Sequence, residues 1–103
     1  MKLAMNSIFQ PSGTVFLHDL EGETILVSAS NGIDHNDNEV LRINGTGRAV
    51  WDMLDGKRDV NAVLREMSNR FDAPEQAIRN DIETFLQELL QRRMIVEVRP
   101  SYP

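Results

Sequence analysis

Chemistry in a protein starts from nucleophiles, metal ligands and coupled titratable groups, and this chain of 103 residues is short of all three. It has no cysteine, which removes thiolate catalysis and a disulfide framework together. Its two histidines, His18 and His35, stand alone in the sequence. The densest run of oxygen ligands is Asp34-His35-Asn36-Asp37-Asn38-Glu39, which has the alternation of an opening calcium loop. The sixth position, where such a loop turns on glycine, is Glu39, and the twelfth, where it needs an acid, is Gly45. The run therefore reads as a polar, solvated loop. Serine, histidine and aspartate all occur, but no local spacing brings them together as a nucleophile with its base. The residues predict a chain that is not an enzyme, needs no cofactor and holds no metal.

What remains is binding, and the bulk composition limits the partner. Net charge is −5, a balance that repels the phosphate backbones of nucleic acid and does nothing to attract anionic lipid, and is compatible with a basic or neutral protein partner. Met1 to Gln10 carries one lysine and no apolar core, so it does not read as a secretory signal. No run approaches the ~18 apolar residues of a membrane helix, and a cytoplasmic location is expected. A hydrophobic share of 41% suits one globular domain with a modest core.

The elements that would carry a binding surface follow from periodicity. Thr14–Leu17 and Thr24–Val27 are β-branched and apolar around a turn-like Asp19–Glu23, which predicts a hairpin. Ser28 to Asn38 is a polar loop with Asn31-Gly32 as its strongest turn signal, and Val40–Ile43 is a third short strand. From Asn44 the period becomes helical. Asn44 or Thr46 can cap a first helix built on Ala49, Val50, Met53 and Leu54, which Asp55-Gly56 ends. Asp59 caps a second, with Val60, Val63, Leu64 and Met67 on one face and Phe71 beyond. Asp72-Ala73-Pro74-Glu75 has the form of a capping box opening a third, whose apolar positions are Ala77, Ile78, Ile82, Phe85, Leu86, Leu89 and Leu90. Met94–Val98 can add a strand. The expected fold is α+β and winged helix-turn-helix-like, a three-stranded antiparallel sheet followed by three helices. Residues 1–12 read as a lead-in, 13–98 as the domain and 99–103 as a tail.

The stretch Leu41-Arg42-Ile43-Asn44-Gly45-Thr46-Gly47-Arg48-Ala49-Val50-Trp51-Asp52-Met53-Leu54-Asp55-Gly56 resembles the PqqD-like family. There a strand ends in Leu-Asn, a threonine and small residues begin a helix, and the helix closes on Leu-Asp-Gly. The likeness continues through Val60, Val63, Leu64 and Phe71 to Asp81-Ile82, Phe85-Leu86 and Leu89, and spans Gly13 to about Ile95. Two departures stand out: Arg93 occupies a place often held by glycine, and Gly47 one usually held by alanine.

The resemblance implies a recognition element for ribosomally made, modified peptides, serving cofactor or natural-product biosynthesis. The leader of a precursor peptide adds as a strand beside the third strand, with the third helix as the other wall. A radical-SAM or other modifying enzyme is the usual partner. The residues so implicated are Val40, Leu41, Arg42 and Ile43 on the strand, and Arg79, Ile82, Glu83, Leu86 and Leu90 on the helix. An edge strand with no lysine or proline, guarded only by Arg42, suits strand addition. Alternation assigns Leu41 and Ile43 to the core face. The pairs Glu75–Arg79, Arg79–Glu83 and Glu88–Arg92 have the spacing of surface ion pairs. Trp51 is assigned to the core or to a subunit contact, which leaves a homodimer open. The rival reading, a winged-helix DNA-binding or transcription-regulatory domain, is weakened by the third helix. Arg79, Arg92 and Arg93 there are outnumbered by Glu75, Asp81, Glu83 and Glu88.

Overall fold

The computed structural model describes residues 4–28 and 39–98. The polar loop read as a rejected calcium site, with its Asn31-Gly32 turn, and the tail 99–103 lie outside them. The elements run β1 (Ile8–Pro11), β2 (Val15–Leu20), β3 (Glu23–Ser28), β4 (Glu39–Ile43), α1 (Gly45–Met53), α2 (Val60–Arg70), α3 (Glu75–Gln91) and β5 (Ile95–Val98). The three strands expected from the sequence are β2, β3 and β4, joined as an antiparallel sheet in that order. With the three helices that follow, they make the α+β arrangement expected.

The β2–β3 hairpin closes on Leu20 and Glu23, with Glu21 at φ 51 and Gly22 at φ 84 between them. Two successive left-handed residues define a type I′ turn, whose twist matches that of paired strands. Thr24 then donates its hydroxyl to Asp19 Oδ1 at 2.9 Å across the pair. Leu26, at the centre of β3, is wholly buried and pairs with Leu41 of β4. Ile43 is buried and Leu41 packs against the same core, so both occupy the face that alternation assigned to them.

Helix starts follow their capping residues in two cases of three. Asn44 accepts the Gly47 N–H at 2.8 Å and is the cap of α1, in preference to Thr46. Asp59 accepts the Ala62 N–H at 2.8 Å and caps α2. The capping box expected at Asp72 does not form: α3 begins at Glu75 with Pro74 as its cap and no side-chain bond. The helical region is disfavoured for a residue that precedes proline, which works against a helical Ala73 and suits a start after Pro74. Of the three ion-pair spacings on α3, Glu88–Arg92 closes, at 3.4 Å, while Arg79 makes no ion pair among the described residues.

Met53, Leu54, Val60, Val63, Leu64, Met67, Ile78, Ile82, Leu86 and Leu89 form the common core of helices and sheet. Trp51 belongs to it too, which resolves its two assignments in favour of the core. The lead-in contributes more than the sequence suggested. Its residues Ile8–Pro11 pair with Ile95–Val98 as a second, two-stranded sheet, and Phe9 is buried. The carbonyls of Ser7 and Met5 accept the Val60 and Asn61 N–H groups at 3.0 and 2.9 Å, satisfying donors that the first turn of α2 leaves without helical partners.

Candidate functional site

The pairing pattern decides which backbone groups β4 leaves open. Leu20 and Glu23 flank a two-residue turn, so they exchange backbone bonds, and every second pair along the hairpin does the same. These are Leu20–Glu23, His18–Ile25 and Phe16–Val27. The intervening residues of β3, Thr24, Leu26 and Ser28, therefore turn their N–H and C=O groups toward β4, where they meet Ile43, Leu41 and Glu39. The backbone groups of Val40 and Arg42 are left pointing away from the sheet. Among the described residues β4 pairs with β3 alone, so these groups line an edge that no other described strand covers.

Beside that edge lies a cleft of about 350 Å³, at the lower end of the ~300–1,000 Å³ typical of ligand pockets. One wall is Leu41, Arg42 and Ile43 of β4; the other is Asp81, Ile82, Phe85 and Glu88 of α3. The beginning of α1, with Asn44 before it and then Thr46, Gly47 and Val50, forms the floor. The apolar part of the floor and walls comes from Leu41, Ile43, Val50, Ile82 and Phe85; Asn44 and Thr46 add polar groups at the start of α1, and charged groups border the walls. Asp81 is exposed, Glu88 is engaged with Arg92, and Arg42 reaches Glu23 at 3.6 Å on the opposite, solvated face. An extended chain laid along β4 would bond to Val40 and Arg42 through its backbone. Every second side chain would drop between the sheet and α3.

The sequence-derived residues divide cleanly. Leu41, Arg42, Ile43 and Ile82 line the cleft; Val40 is not in the lining, and its side chain stands exposed. Arg79, Glu83, Leu86 and Leu90 are not in the lining. They recur at four, three and four residues and so form a single stripe on α3, displaced by roughly 160° from the Asp81–Phe85–Glu88 stripe. Leu86 is completely buried, and Leu90 packs against the core. Asn44, Thr46, Gly47, Val50, Asp81, Phe85 and Glu88 are in the lining and were not in the sequence-derived set. Phe85 stood in the apolar stripe, where burial in the core was its default reading. Gly47 carried a signal of its own, a glycine in the first turn of a helix.

The charges that are perturbed lie elsewhere. The Asp19 carboxyl is held below the usual carboxylate range, chiefly by the hydrogen bond from Arg48 at 2.7 Å and then by that from Thr24. Arg48 also reaches Asp52, so it ties the end of the hairpin to α1 and thereby steadies the cleft floor against the sheet. Asp55 is likewise lowered, first by the backbone N–H of Arg58 and next by that of Lys57. No group of three or more metal-ligating side chains occurs among the described residues. Nor is any described helix long and apolar enough to cross a membrane.

Comparison with known proteins bears on family and fold. A family model described as coenzyme PQQ synthesis protein D (PqqD) matches residues 23–95, a span that holds β3, β4, all three helices and every residue of the cleft. A "PqqA binding protein" of Rhizobium meliloti (strain 1021) is 30% identical over 92 residues, covering 87% of this chain and 86% of that protein. One from Pseudomonas putida (strain W619) is 37% identical over 49 residues, 47% of this chain and 52% of its own length. Among solved structures, "TbiB1 in Complex with the TbiA(beta) Leader Peptide" superposes with a TM-score of 0.67 at 14% identity. It covers 84% of this chain and 93% of its own, a likeness of fold.

Proposed function

The chain belongs to the PqqD family, and from that premise we propose that it is a non-catalytic peptide chaperone, binding the leader of a precursor peptide as an added strand on β4. The observation that carries this reading is the open edge at Val40 and Arg42 beside an apolar cleft walled by α3. Backbone bonds along the edge would supply affinity with little regard to sequence. The cleft would supply selection, since it receives alternate side chains. PqqA, the ligand in the relatives' name, is the first candidate for the bound peptide. Presentation of that peptide to a modifying enzyme, of the radical-SAM class by family resemblance, completes the role. Holding the substrate while another protein does the chemistry fits a cleft lined largely by Leu41, Ile43, Val50, Ile82 and Phe85.

Titration calorimetry with synthetic PqqA of Rhizobium meliloti tests the reading. Saturable one-to-one binding, on the order of micromolar or tighter, is expected, with amide-shift changes along β4 and the Asp81–Phe85–Glu88 flank of α3. Shift changes confined to α2 and the β1–β5 pair would place the peptide elsewhere and remove the proposal.

A further inference from the structure

Gly47 is the third residue of α1 and donates its N–H to the Asn44 cap. Its φ is not in the left-handed region, so the backbone at this point does not require glycine. Helix propensity argues against it, because glycine is the poorest helix former after proline. What glycine provides here is space. A Cβ on Gly47 would lie 3.3 Å from Ile43 Cβ, 3.4 Å from Asn44 Oδ1 and 3.5 Å from Phe85 Cζ. It would stand between the strand wall and the helix wall of the cleft, closing part of the floor that Gly47 itself lines.

We propose that Gly47 is a specificity-determining residue: the methyl group it lacks opens the cleft floor to a large apolar side chain of the bound strand. The chain thereby selects peptides carrying a bulky apolar anchor, and an aromatic anchor fits best. The inference rests on the strand-addition reading and names the class of peptide that reading admits. The ring of Phe85 borders the opened space, so an incoming aromatic ring can meet it in the offset or edge-to-face contact that aromatic pairs favour. A small or charged side chain at the same register leaves the floor unfilled or strands a charge among Ile43, Val50, Ile82 and Phe85.

The test is Gly47→Ala, read by thermal melting and by binding. The probes are synthetic PqqA of Rhizobium meliloti and a set in which each of its large apolar residues is truncated in turn to alanine. For the wild type, one truncation is expected to weaken binding about tenfold or more, as for methylene-scale misfits in apolar pockets. Gly47→Ala should bind full PqqA about tenfold more weakly and be indifferent to that same truncation, while its melting temperature does not fall. A melting temperature that drops, with affinity lost equally for every peptide, would show that glycine serves only the close approach of α1 to β4. A second arm needs no peptide: millimolar p-cresol, a stand-in for a tyrosine side chain, should shift the amides of Ile43, Gly47 and Phe85 in the wild type and not in Gly47→Ala. Equal shifts in both proteins overturn the proposal. Shifts in the wild type alone, with no PqqA binding, would remove the strand-addition reading with PqqA and leave the preference of the cleft standing.

Discussion

At the scale of single residues, the sharpest local conflict is Arg93. Helix α3 ends in a full Schellman motif: the Met94 N–H bonds the Leu89 carbonyl at 2.9 Å and the Arg93 N–H bonds that of Leu90 at 3.0 Å. The accompanying apolar contact is present, with Met94 and Leu89 both wholly buried. The motif places the residue after the cap in the left-handed region, and Arg93 is there at φ 59. A side chain in that conformation costs about 1 kcal/mol relative to glycine. Arg93→Gly should therefore raise the unfolding free energy by about 1 kcal/mol in urea, with the slope unchanged. The departure from the family's usual glycine is thus a tolerated strain with an explained position. Leu86 tests the opposite kind of assignment. It was read as a groove residue and is fully buried. Leu86→Ala should lower stability by about 2–5 kcal/mol through loss of buried surface and the cavity left behind. Peptide affinity of the fraction that remains folded should be unaltered, which calorimetry below the melting temperature can check.

At the scale of elements, β4 has two different edges, and proline substitution separates them. Val40 and Arg42 point their N–H groups outward, whereas the Leu41 group belongs to the ladder with β3. Val40→Pro and Arg42→Pro should each abolish or strongly weaken peptide binding while circular dichroism and melting temperature stay close to those of the wild type. The exposed Arg42–Glu23 pair lost in the second variant contributes little, because both side chains are well solvated. Leu41→Pro should instead lower the melting temperature sharply, since it breaks an internal bond of the sheet. If all three variants behave alike, the outward assignment of Val40 and Arg42 is wrong. The spacing of the prolines, two residues apart, was legible in the strand's alternation. Which parity faced outward was not, because it depends on the turn at Glu21-Gly22 two strands away.

At the scale of the whole molecule, pH reports on how the charged groups hold the elements together. Asp19 and Asp55 both have their carboxyls lowered in the folded chain, by Arg48 in the first case and by the Arg58 and Lys57 N–H groups in the second. The unfolded chain therefore takes up protons on these groups before the folded chain does. The stability they contribute is present above the unfolded carboxylate range and is lost as pH falls through the lower, folded values. Stability should be level from neutral pH down to about pH 5 and decline below about pH 4. Thermal melts across that range should show a shallower acid decline for Asp55→Asn than for the wild type. Both groups are solvent-exposed, so each effect is small, and the double variant Asp19→Asn/Asp55→Asn gives the clearer slope.

The element order, the α+β class and most of the core were readable from local signals: alternation at Val40–Ile43, helical spacing from Val50 to Met67, and the caps at Asn44 and Asp59. These are short-range effects, decided within one turn of helix or one strand. Strand addition was expected chiefly from the family resemblance, with the unguarded short strand as its physical support. Three matters were settled only by tertiary structure. Ile8–Pro11 became a strand because its partner, Ile95–Val98, lies at the far end of the chain, beyond the reach of any local window. The Asp81–Phe85–Glu88 flank faced the cleft, and the Arg79–Glu83–Leu86–Leu90 flank did not, because α3 is apolar around a wide arc. Packing against α2 and β5 chooses the rotation of such a helix, and its own periodicity cannot. Gly47 acquired its meaning only when Ile43 and Phe85, four residues before it and 38 after, were brought within 3.5 Å of the methyl group it lacks.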